Sequence, residues 1–325
     1  MRHKRITGAL FALVFAFASL VAPATADAIV GGIPASDEYA FSGSVQTPHK
    51  GEKDWHTCGI TLITPLHALG AAHCQTNFEG GSKLRRFGAA TAEPPPDFED
   101  PSRFHVQFGS HDRLHGTEVR GVVKISKPPE WAKLKKTPRG EVGDLVILTL
   151  DRPITTIRPA GLAEVNPRFP LREIGWGLHS VDDVGKGPAP RWLHEADAPG
   201  VVRTSADCRG ADLGVDELCV RKGRDAANPA KPAGECYGDS GSPALQRGRD
   251  GDWNVVGVVS RGPEGPNGEP RCATDAVMPK PTYYLNWIIQ EVSAQGAQVR
   301  LAELPRDSGR PGDAQPVVQP VGAAA

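Results

Sequence analysis

Short apolar runs of strand length, separated by turn residues, dominate the chain from Ile29 to about Tyr284. Examples are residues 59–63, 104–108, 119–125, 145–150, 254–260 and 277–284. Runs this short, rich in valine and isoleucine and bounded by glycine, proline, aspartate and asparagine, favour an all-β sandwich or barrel over a helical fold. The 37 glycines and 30 prolines among the 325 residues fit a chain with many tight turns.

The end of this β-rich body departs from the strand pattern. Apolar residues recur at helical spacing from Leu285 to Val292, which predicts one amphipathic helix between residues 283 and 301. Pro305 is expected to end that element because proline cannot continue a helix. Residues 303–325 carry no periodic apolar face and predict a disordered tail.

A long surface insertion is predicted for residues 79–103. This segment contains three consecutive prolines at 94–96. Proline has no N–H group to donate to a strand ladder, so an ordinary central strand is not expected there.

The N-terminus has the layout of a secretory signal peptide. Three basic residues within 2–5 precede an apolar stretch at 9–22, and small residues then place cleavage sites after Ala26 and Ala28. A membrane anchor is the alternative, but the stretch is short for a span and no stop-transfer pattern follows. We expect a signal peptide over 1–28, with 27–28 as a dipeptide propeptide if cleavage follows Ala26. The product would be secreted and free of the membrane.

The charge balance excludes some classes of protein. Lysine and arginine number 37 against 38 acidic residues, a net charge of −1. A strongly basic nucleic-acid binder is therefore excluded, and the lack of a second long apolar run excludes a multi-span membrane protein.

All six cysteines follow the leader, which fits an oxidising compartment and a disulfide framework. Six cysteines allow 15 pairings, so spacing alone leaves the connectivity open. No two of them form a Cys-x-x-Cys pair, and we expect neither a metal nor a cofactor.

Three segments carry reactive groups in the order His73, Asp144, Ser240. A serine hydroxyl is a weak nucleophile at neutral pH, so it needs a base within reach, and that base needs an acceptor to orient it. Each residue also has a bland explanation. Gly-Asp-Ser-Gly alone is most often a solvated turn, the histidine could be structural, and the aspartate could be a turn residue.

The chain resembles the trypsin/chymotrypsin family of serine proteases across about residues 29–292. The motifs that carry the resemblance are Ile29-Val30-Gly31-Gly32, Ala71-Ala72-His73-Cys74, Gly143-Asp144-Leu145, Gly175-Trp176-Gly177, Gly238-Asp239-Ser240-Gly241 and Trp287-Ile288. The resemblance implies two six-stranded antiparallel β-barrels and a C-terminal α-helix. The first barrel would span about 29–150 and the second about 172–284, with the active site between them.

The resemblance also implies a role for each reactive group. Ser240 would be the nucleophile, His73 the general base and then acid, and Asp144 the group that orients His73. The backbone N–H groups of Gly238 and Ser240 would form the oxyanion hole.

Activation and disulfide pairing are likewise implied by the resemblance. A free amino group at Ile29 would pair with Asp239, the carboxylate beside the nucleophile. The implied disulfides are Cys58–Cys74, Cys208–Cys219 and Cys236–Cys272.

The substrate pocket departs from the trypsin pattern. Gly234 stands where trypsins carry an aspartate, although Glu235 follows it and Asp275 precedes the expected third wall at Ala276. A carboxylate inside the pocket would favour arginine or lysine. If Glu235 turns outward instead, a small neutral pocket for apolar side chains remains.

Two further departures lie near the nucleophile. Ser242 replaces the second glycine after Ser240, and Ser260-Arg261-Gly262 replaces the usual Ser-Trp-Gly. Strand pairing with a substrate needs only main-chain groups, so Ser260 and Gly262 can still serve. Arg261 adds a charge that predicts a preference for acidic residues upstream of the cleaved bond.

We therefore expect a secreted, monomeric serine endopeptidase that acts on proteins or peptides and has protein inhibitors as further partners. The alternative is a catalytically weak or inactive homologue that serves as a binding protein. An α/β-hydrolase esterase is disfavoured because its elbow motif needs a glycine at Ser242 and its triad has another order.

Overall fold

The computed structural model describes residues 28–36, 39–49, 51–76, 97–131, 137, 139–140, 142–266, 268–269 and 271–305. The strands in chain order are β1 Ile33–Pro34, β2 Ser42–His49, β3 Glu52–Thr64, β4 His67–Gly70, β5 His105–Phe108, β6 Glu118–Ser126, β7 Val146–Leu150, β8 Gly161–Leu162, β9 Leu171–Gly175, β10 His194–Ala198, β11 Val201–Val202, β12 Glu217–Val220, β13 Gly223–Arg224, β14 Pro232–Ala233, β15 Pro243–Arg247, β16 Trp253–Val258 and β17 Ala276–Pro279. The all-β class predicted from the short apolar runs is confirmed.

The first half of the chain forms a closed antiparallel barrel in the order β2-β3-β4-β7-β6-β5. Closure pairs both edges of the sheet and leaves no open edge. Large apolar side chains fill the interior, among them Leu62, Leu69 and Leu148. Phe108 crosses so close to β2 that a Cβ at Gly43 would lie 2.4 Å from its ring. This packing explains a glycine within a strand.

The second half distributes its strands between two main sheets, and the short N-terminal strand β1 joins the larger one by pairing with β10. One has the order β1-β10-β9-β15-β16-β8 and the other β11-β12-β17, while β13 and β14 form a separate pair. The two main sheets share a core that contains Leu171, Val256, Leu218 and Met278. An isolated bridge between Arg261 and Val277 links the segment after β16 to β17. Thus the second half reaches a barrel-like enclosure through a shared core and one bridge.

Short helices complete the described part of the chain. The α-helices are α1 Ala206–Gly210 and α2 Leu285–Ser293, and the 3-10 turns are Ala72–Gln75, Pro101–Arg103, Val181–Asp183 and Pro281–Tyr284. Ile288 and Val292 of α2 are buried in the same core as the closed barrel.

Two elements end earlier than the sequence pattern predicts. The strand predicted over 277–284 stops at Pro279 and gives way to a 3-10 turn, because closely spaced prolines cannot continue a ladder. Helix α2 stops at Ser293, and Gly296 has a left-handed φ of 72°. Leu301 then pairs with Leu162 of β8.

Several predicted segments lie outside the described residues. They are residues 1–27 of the expected leader, residues 79–96 of the insertion and residues 306–325 of the tail. Within the ranges given above, no helix has both the length and the hydropathy required to cross a bilayer.

Candidate active site

Strand register brings His73 and Asp144 together. Strand β4 pairs with β7 so that Gly70 lies opposite Val146. His73 follows Gly70 and Asp144 precedes Val146, so both catalytic candidates lie just beyond the same end of this strand pair. The ring Nδ1 of His73 donates to Oδ2 of Asp144 at 2.8 Å, and the His73 backbone N–H donates to Oδ1 at 2.9 Å. The imidazole of His73 is therefore oriented by a carboxylate that accepts hydrogen bonds from both the ring and the backbone of that residue.

Asp144 is buried, with 1% of its surface exposed. The Ser260 hydroxyl also donates to its Oδ2. Burial by itself would raise the pKa of this carboxyl, but the charge of His73 and the hydrogen bonds from His73 and Ser260 lower the pKa to about 2. The group is therefore an anion at neutral pH.

Ser240 lies in the turn that leads into β15, where its carbonyl accepts the Gly59 N–H at 2.8 Å. A cavity of about 420 Å³ is lined by Ser240, His73 and Asp144 together. The three reactive residues predicted from sequence, which are far apart along the chain, thus meet at one cavity.

The turn before Ser240 orients its main-chain donors. The Tyr237 carbonyl accepts the Leu178 N–H at 2.8 Å, and the Asp239 carbonyl accepts the Ser242 N–H at 2.9 Å. Because a trans peptide directs its C=O and N–H oppositely, the N–H groups of Gly238 and Ser240 point away from those partners. Gly238 has a φ of 99°, which only glycine adopts readily.

His56 supports this turn and was missed by sequence reasoning. Its Nε2 donates to the Gly238 carbonyl at 2.8 Å, so its Nδ1 accepts from the Ser44 hydroxyl at 2.8 Å. Burial, and then the charge of Arg113, lower the pKa of His56 to about 3. The ring is neutral, as this pattern of one donor and one acceptor requires.

Asp216 supports the other side of the site and was also missed. Its buried carboxylate accepts the backbone N–H groups of Val142 at 3.2 Å and Gly143 at 3.0 Å, together with the Tyr284 hydroxyl at 2.7 Å. These contacts hold the loop that delivers Asp144. No sequence signal marks either supporting residue, because each acts only through tertiary contacts.

The predicted pocket residues divide into two sets. Glu235, Ser260, Arg261 and Gly262 line the cavity, whereas Gly234 and Ala276 are buried outside its lining. Asp275 also lies outside the lining, where its carboxylate accepts the Lys222 backbone N–H at 3.1 Å.

Arg261 has its charge neutralised within the chain. Its guanidinium binds both carboxylate oxygens of Glu217, at 2.6 and 2.8 Å, and donates to the carbonyls of Ala211 and Asp212. The charge that predicted a preference for acidic residues upstream is therefore already engaged.

The main chain of Arg261 leaves its neighbours available. Arg261 exchanges both backbone hydrogen bonds with Val277, at 3.2 and 2.8 Å. Backbone groups alternate in direction along an extended segment, so those of Ser260 and Gly262 face the opposite side.

Ile29 and Asp239 are both buried, each with 1% exposure. The chain is continuous through Ala28, so the Ile29 nitrogen is an amide. Val30 pairs with Gly234, next to the pocket. The Asp239 carboxylate accepts the backbone N–H groups of Gly177 at 2.8 Å and Cys236 at 2.9 Å.

Asp239, Glu235 and Glu173 form a group of buried carboxylates that we call the pocket carboxylates. Burial raises the pKa of Asp239 to about 7, against those two backbone hydrogen bonds. Burial raises the pKa of Glu235 to about 8, and the charges of Asp239 and Asp275 add to the effect. Burial and the charges of the other two members raise the pKa of Glu173 well above its usual range.

Ser242 is accommodated by glycines. It is fully buried, and a Cβ at Gly59 would lie 1.9 Å from its hydroxyl oxygen. Its hydroxyl has no hydrogen-bond partner among the described residues.

The three disulfides join Cys58 to Cys74, Cys208 to Cys219 and Cys236 to Cys272, the pairs that the resemblance implies. Cys58, His73 and Cys74 form one compact group of potential metal ligands, but both sulfurs are engaged in a disulfide.

Comparison with known proteins agrees with this geometry. The family model for trypsin matches residues 29–288. The chain is 26% identical to tryptase from Mus musculus and 26% identical to chymotrypsin-C from Bos taurus, and each match covers 81% of this chain and 88% of the relative. It is 28% identical to a phenoloxidase-activating enzyme from Bombyx mori, with 74% of this chain and 56% of that enzyme covered. The match to the family across most of the chain, on this fold, shows that the protein belongs to the trypsin family of serine proteases.

Proposed function

We propose that the protein is a serine endopeptidase that forms an acyl-enzyme on Ser240. The observation that carries the proposal is the hydrogen-bonded pair of His73 and Asp144 on the wall of the cavity that Ser240 also lines. Family membership supports hydrolysis of peptide bonds.

The chemistry follows from the groups present. His73 uses Nδ1 to bind Asp144, which leaves Nε2 to take the proton of the Ser240 hydroxyl as its oxygen attacks the substrate carbonyl. The N–H groups of Gly238 and Ser240 stabilise the negative oxygen that forms. His73 then gives its proton to the leaving amine. In the second stage of the reaction, water attacks the carbonyl of the acyl-enzyme and His73 accepts a proton from the water. That proton returns to Ser240 as the carboxylic acid product leaves.

The cavity suits an extended polypeptide substrate. The main-chain groups of Ser260 and Gly262, which have no backbone partner within the described residues, can pair with a substrate backbone in the manner of an added strand. Proteins or peptides are thus the proposed substrates, protein inhibitors that enter the cleft are proposed partners, and the enzyme is proposed to act as a monomer.

Export and activation belong to the same proposal. Two features support secretion. The leader has basic residues, then an apolar stretch, then small residues, and the chain carries three disulfides. Cleavage behind Ala28 would create an ammonium at Ile29, and the buried Asp239 carboxylate is its proposed partner. N-terminal sequencing of the secreted protein checks the cleavage site, and a start elsewhere than Ile29 would contradict it.

Hydrolysis by purified protein that begins at Ile29 tests the proposed activity. Casein and a mixed peptide library serve as substrates, with release of new amino termini as the readout. Ser240→Ala is expected to abolish the release, whereas Ser242→Ala, the neighbouring serine, is expected to retain it. If the correctly processed protein binds these peptides without cleaving them, the non-catalytic alternative is favoured instead.

A further inference from the structure

The cavity beside Ser240 holds a carboxylate oxygen that nothing in the described part of the chain binds. Glu235 lies five residues before Ser240 and lines the cavity, yet only 8% of its surface is exposed. Its Oε2 has no hydrogen-bond partner among the described residues. A buried carboxylate oxygen left without a donor is costly, so this atom is a site for an incoming donor.

The charges around Glu235 are negative. Asp239 and Asp275 act on it, and Glu173 is close enough for the two glutamates to influence each other. The two arginines that line the cavity bind other carboxylates, Arg261 through Glu217 and Arg271 through Asp207. No cation within the described residues therefore neutralises Glu235.

Gly262 lines the cavity beside this carboxylate. A Cβ at Gly262 would lie 3.8 Å from Oε1 of Glu235 and 2.7 Å from Oγ1 of Thr274. The Thr274 oxygen is also buried without a partner in the described part. Because position 262 has no side chain, both oxygens lie directly behind the part of the cavity wall that Gly262 forms.

We propose that Glu235 binds the cationic side chain of an arginine or lysine that immediately precedes the cleaved bond. Arginine is the better fit, because its several N–H groups can reach both Glu235 and Thr274, whereas the lysine ammonium is a single point charge. Glu235 supplies the charge from the cavity lining, because Gly234 stands at the position where trypsins carry an aspartate. As a statement about cleavage the proposal rests on the proposed function, but binding of a cation in the cavity can be measured without catalysis.

The first test compares peptide substrates that differ only in that residue: arginine, lysine and citrulline, which has the shape of arginine without its charge. At pH 8 we expect kcat/KM for arginine to exceed that for citrulline by about 100-fold, the order expected for a buried charge pair. Glu235→Gln should bring the ratio close to one. Glu164→Gln, which removes an exposed charge outside the cavity lining, should preserve it. A ratio below about three in the unmutated protein would overturn the proposal.

The second test measures binding without turnover. The fluorescent amidinium 4-aminobenzamidine is titrated into the Ser240→Ala protein, with neutral 4-aminobenzamide as the control ligand. Adding Glu235→Gln should weaken amidinium binding by about 30-fold or more and leave the amide unaffected. Selective amidinium binding without hydrolysis by the Ser240 protein would refute the proposed function and keep the pocket assignment. Hydrolysis of neutral substrates by a protein that does not prefer the amidinium over the amide would support the proposed function and refute the pocket assignment.

Discussion

Buried carboxylates occur in two regions of this site, and their surroundings are opposite. Asp144 accepts hydrogen bonds from the His73 ring, the His73 backbone and the Ser260 hydroxyl, and its pKa is lowered to about 2. Within the described residues, no cation is among the charges that act on the pocket carboxylates, and the pKa values of Asp239 and Glu235 rise to about 7 and 8.

The two regions differ in whether the folded chain itself provides the groups that stabilise the buried negative charge. Asp144 has its partners within the folded chain, so the orientation of His73 is set before any substrate arrives. For the pocket carboxylates, our proposals assign two sources of a cation: an Ile29 ammonium created by cleavage for Asp239, and a substrate side chain for Glu235. The orientation of His73 is therefore set by the folded chain, whereas the activation and the specificity that we propose both depend on a cation that binds later.

The largest effect is expected from removing the charge of Asp144. Asp144→Asn should lower kcat/KM by about 10⁴-fold, because an amide can stabilise the wrong tautomer of His73 and cannot balance the imidazolium. Steady-state peptide hydrolysis measures the loss. Ser260→Ala is the matched variant, since it removes one donor to Asp144 and keeps the carboxylate, and its loss should be far smaller. Equal losses in the two variants would show that the charge of Asp144 is not what matters.

The next effect concerns Asp239 and the N-terminus. In the chain that has not been cleaved behind Ala28, the folded state keeps the proton of Asp239 up to about pH 7, whereas the unfolded state releases it near the usual pKa of 3.8. The free energy of unfolding should therefore fall as pH rises from about 4 to about 7, by up to about 4 kcal/mol. An Ile29 ammonium should lower that pKa and remove the fall.

Urea unfolding between pH 4 and 8 checks this prediction. One form begins at Ile29 and the other at Asp27, and both carry Ser240→Ala to prevent self-cleavage. The difference between the two curves reports the effect of the Ile29 ammonium, because Glu173 and Glu235 are present in both forms. Identical pH dependence would refute the pairing of Ile29 with Asp239.

A smaller effect is expected at Asp216, which holds the loop before Asp144. Asp216→Asn should lower kcat by about 10- to 100-fold with little change in KM, because misplacing Asp144 affects the transition state more than substrate binding. Tyr284→Phe removes one donor and keeps the carboxylate, so it should cost less. A change confined to KM, or to thermal stability alone, would contradict this positioning role.

The smallest effect is expected at Glu173. Its folded-state pKa lies well above the usual 4.5, so its carboxyl destabilises the fold once the pH exceeds that ordinary value. Glu173→Gln should therefore stabilise the protein by about 1 to 2 kcal/mol at pH 8 and have almost no effect at pH 4. Urea unfolding at the two pH values measures this, with Glu164→Gln as the exposed control. Destabilisation at pH 8 would mean that the carboxylate has a partner.

Local patterns predicted much of the fold and the three reactive residues. Strand runs are visible in the sequence because they depend on neighbouring residues, and His73, Asp144 and Ser240 each stand in a distinctive short motif. Disulfide pairing came from the family resemblance, since spacing left it open.

Other features depend on contacts between distant residues, which no local pattern records. His56 acts on Gly238, and Asp216 acts on Val142 and Gly143, only after the two halves of the chain have packed together. Glu217 neutralises Arg261 across the second half in the same way. The orientation of Glu235 was open for the same reason: its burial depends on the surrounding walls.

Covalent labelling of Ser240 tests the proposed chemistry most directly. Protein that begins at Ile29 is treated with a fluorophosphonate, and intact mass followed by peptide mapping locates the adduct. We predict one adduct per chain, on Ser240, formed much more slowly in His73→Ala and absent in Ser240→Ala. Absence of an adduct from correctly processed, folded protein, or an adduct on another residue such as Ser242, would contradict the assignment of Ser240 as the nucleophile.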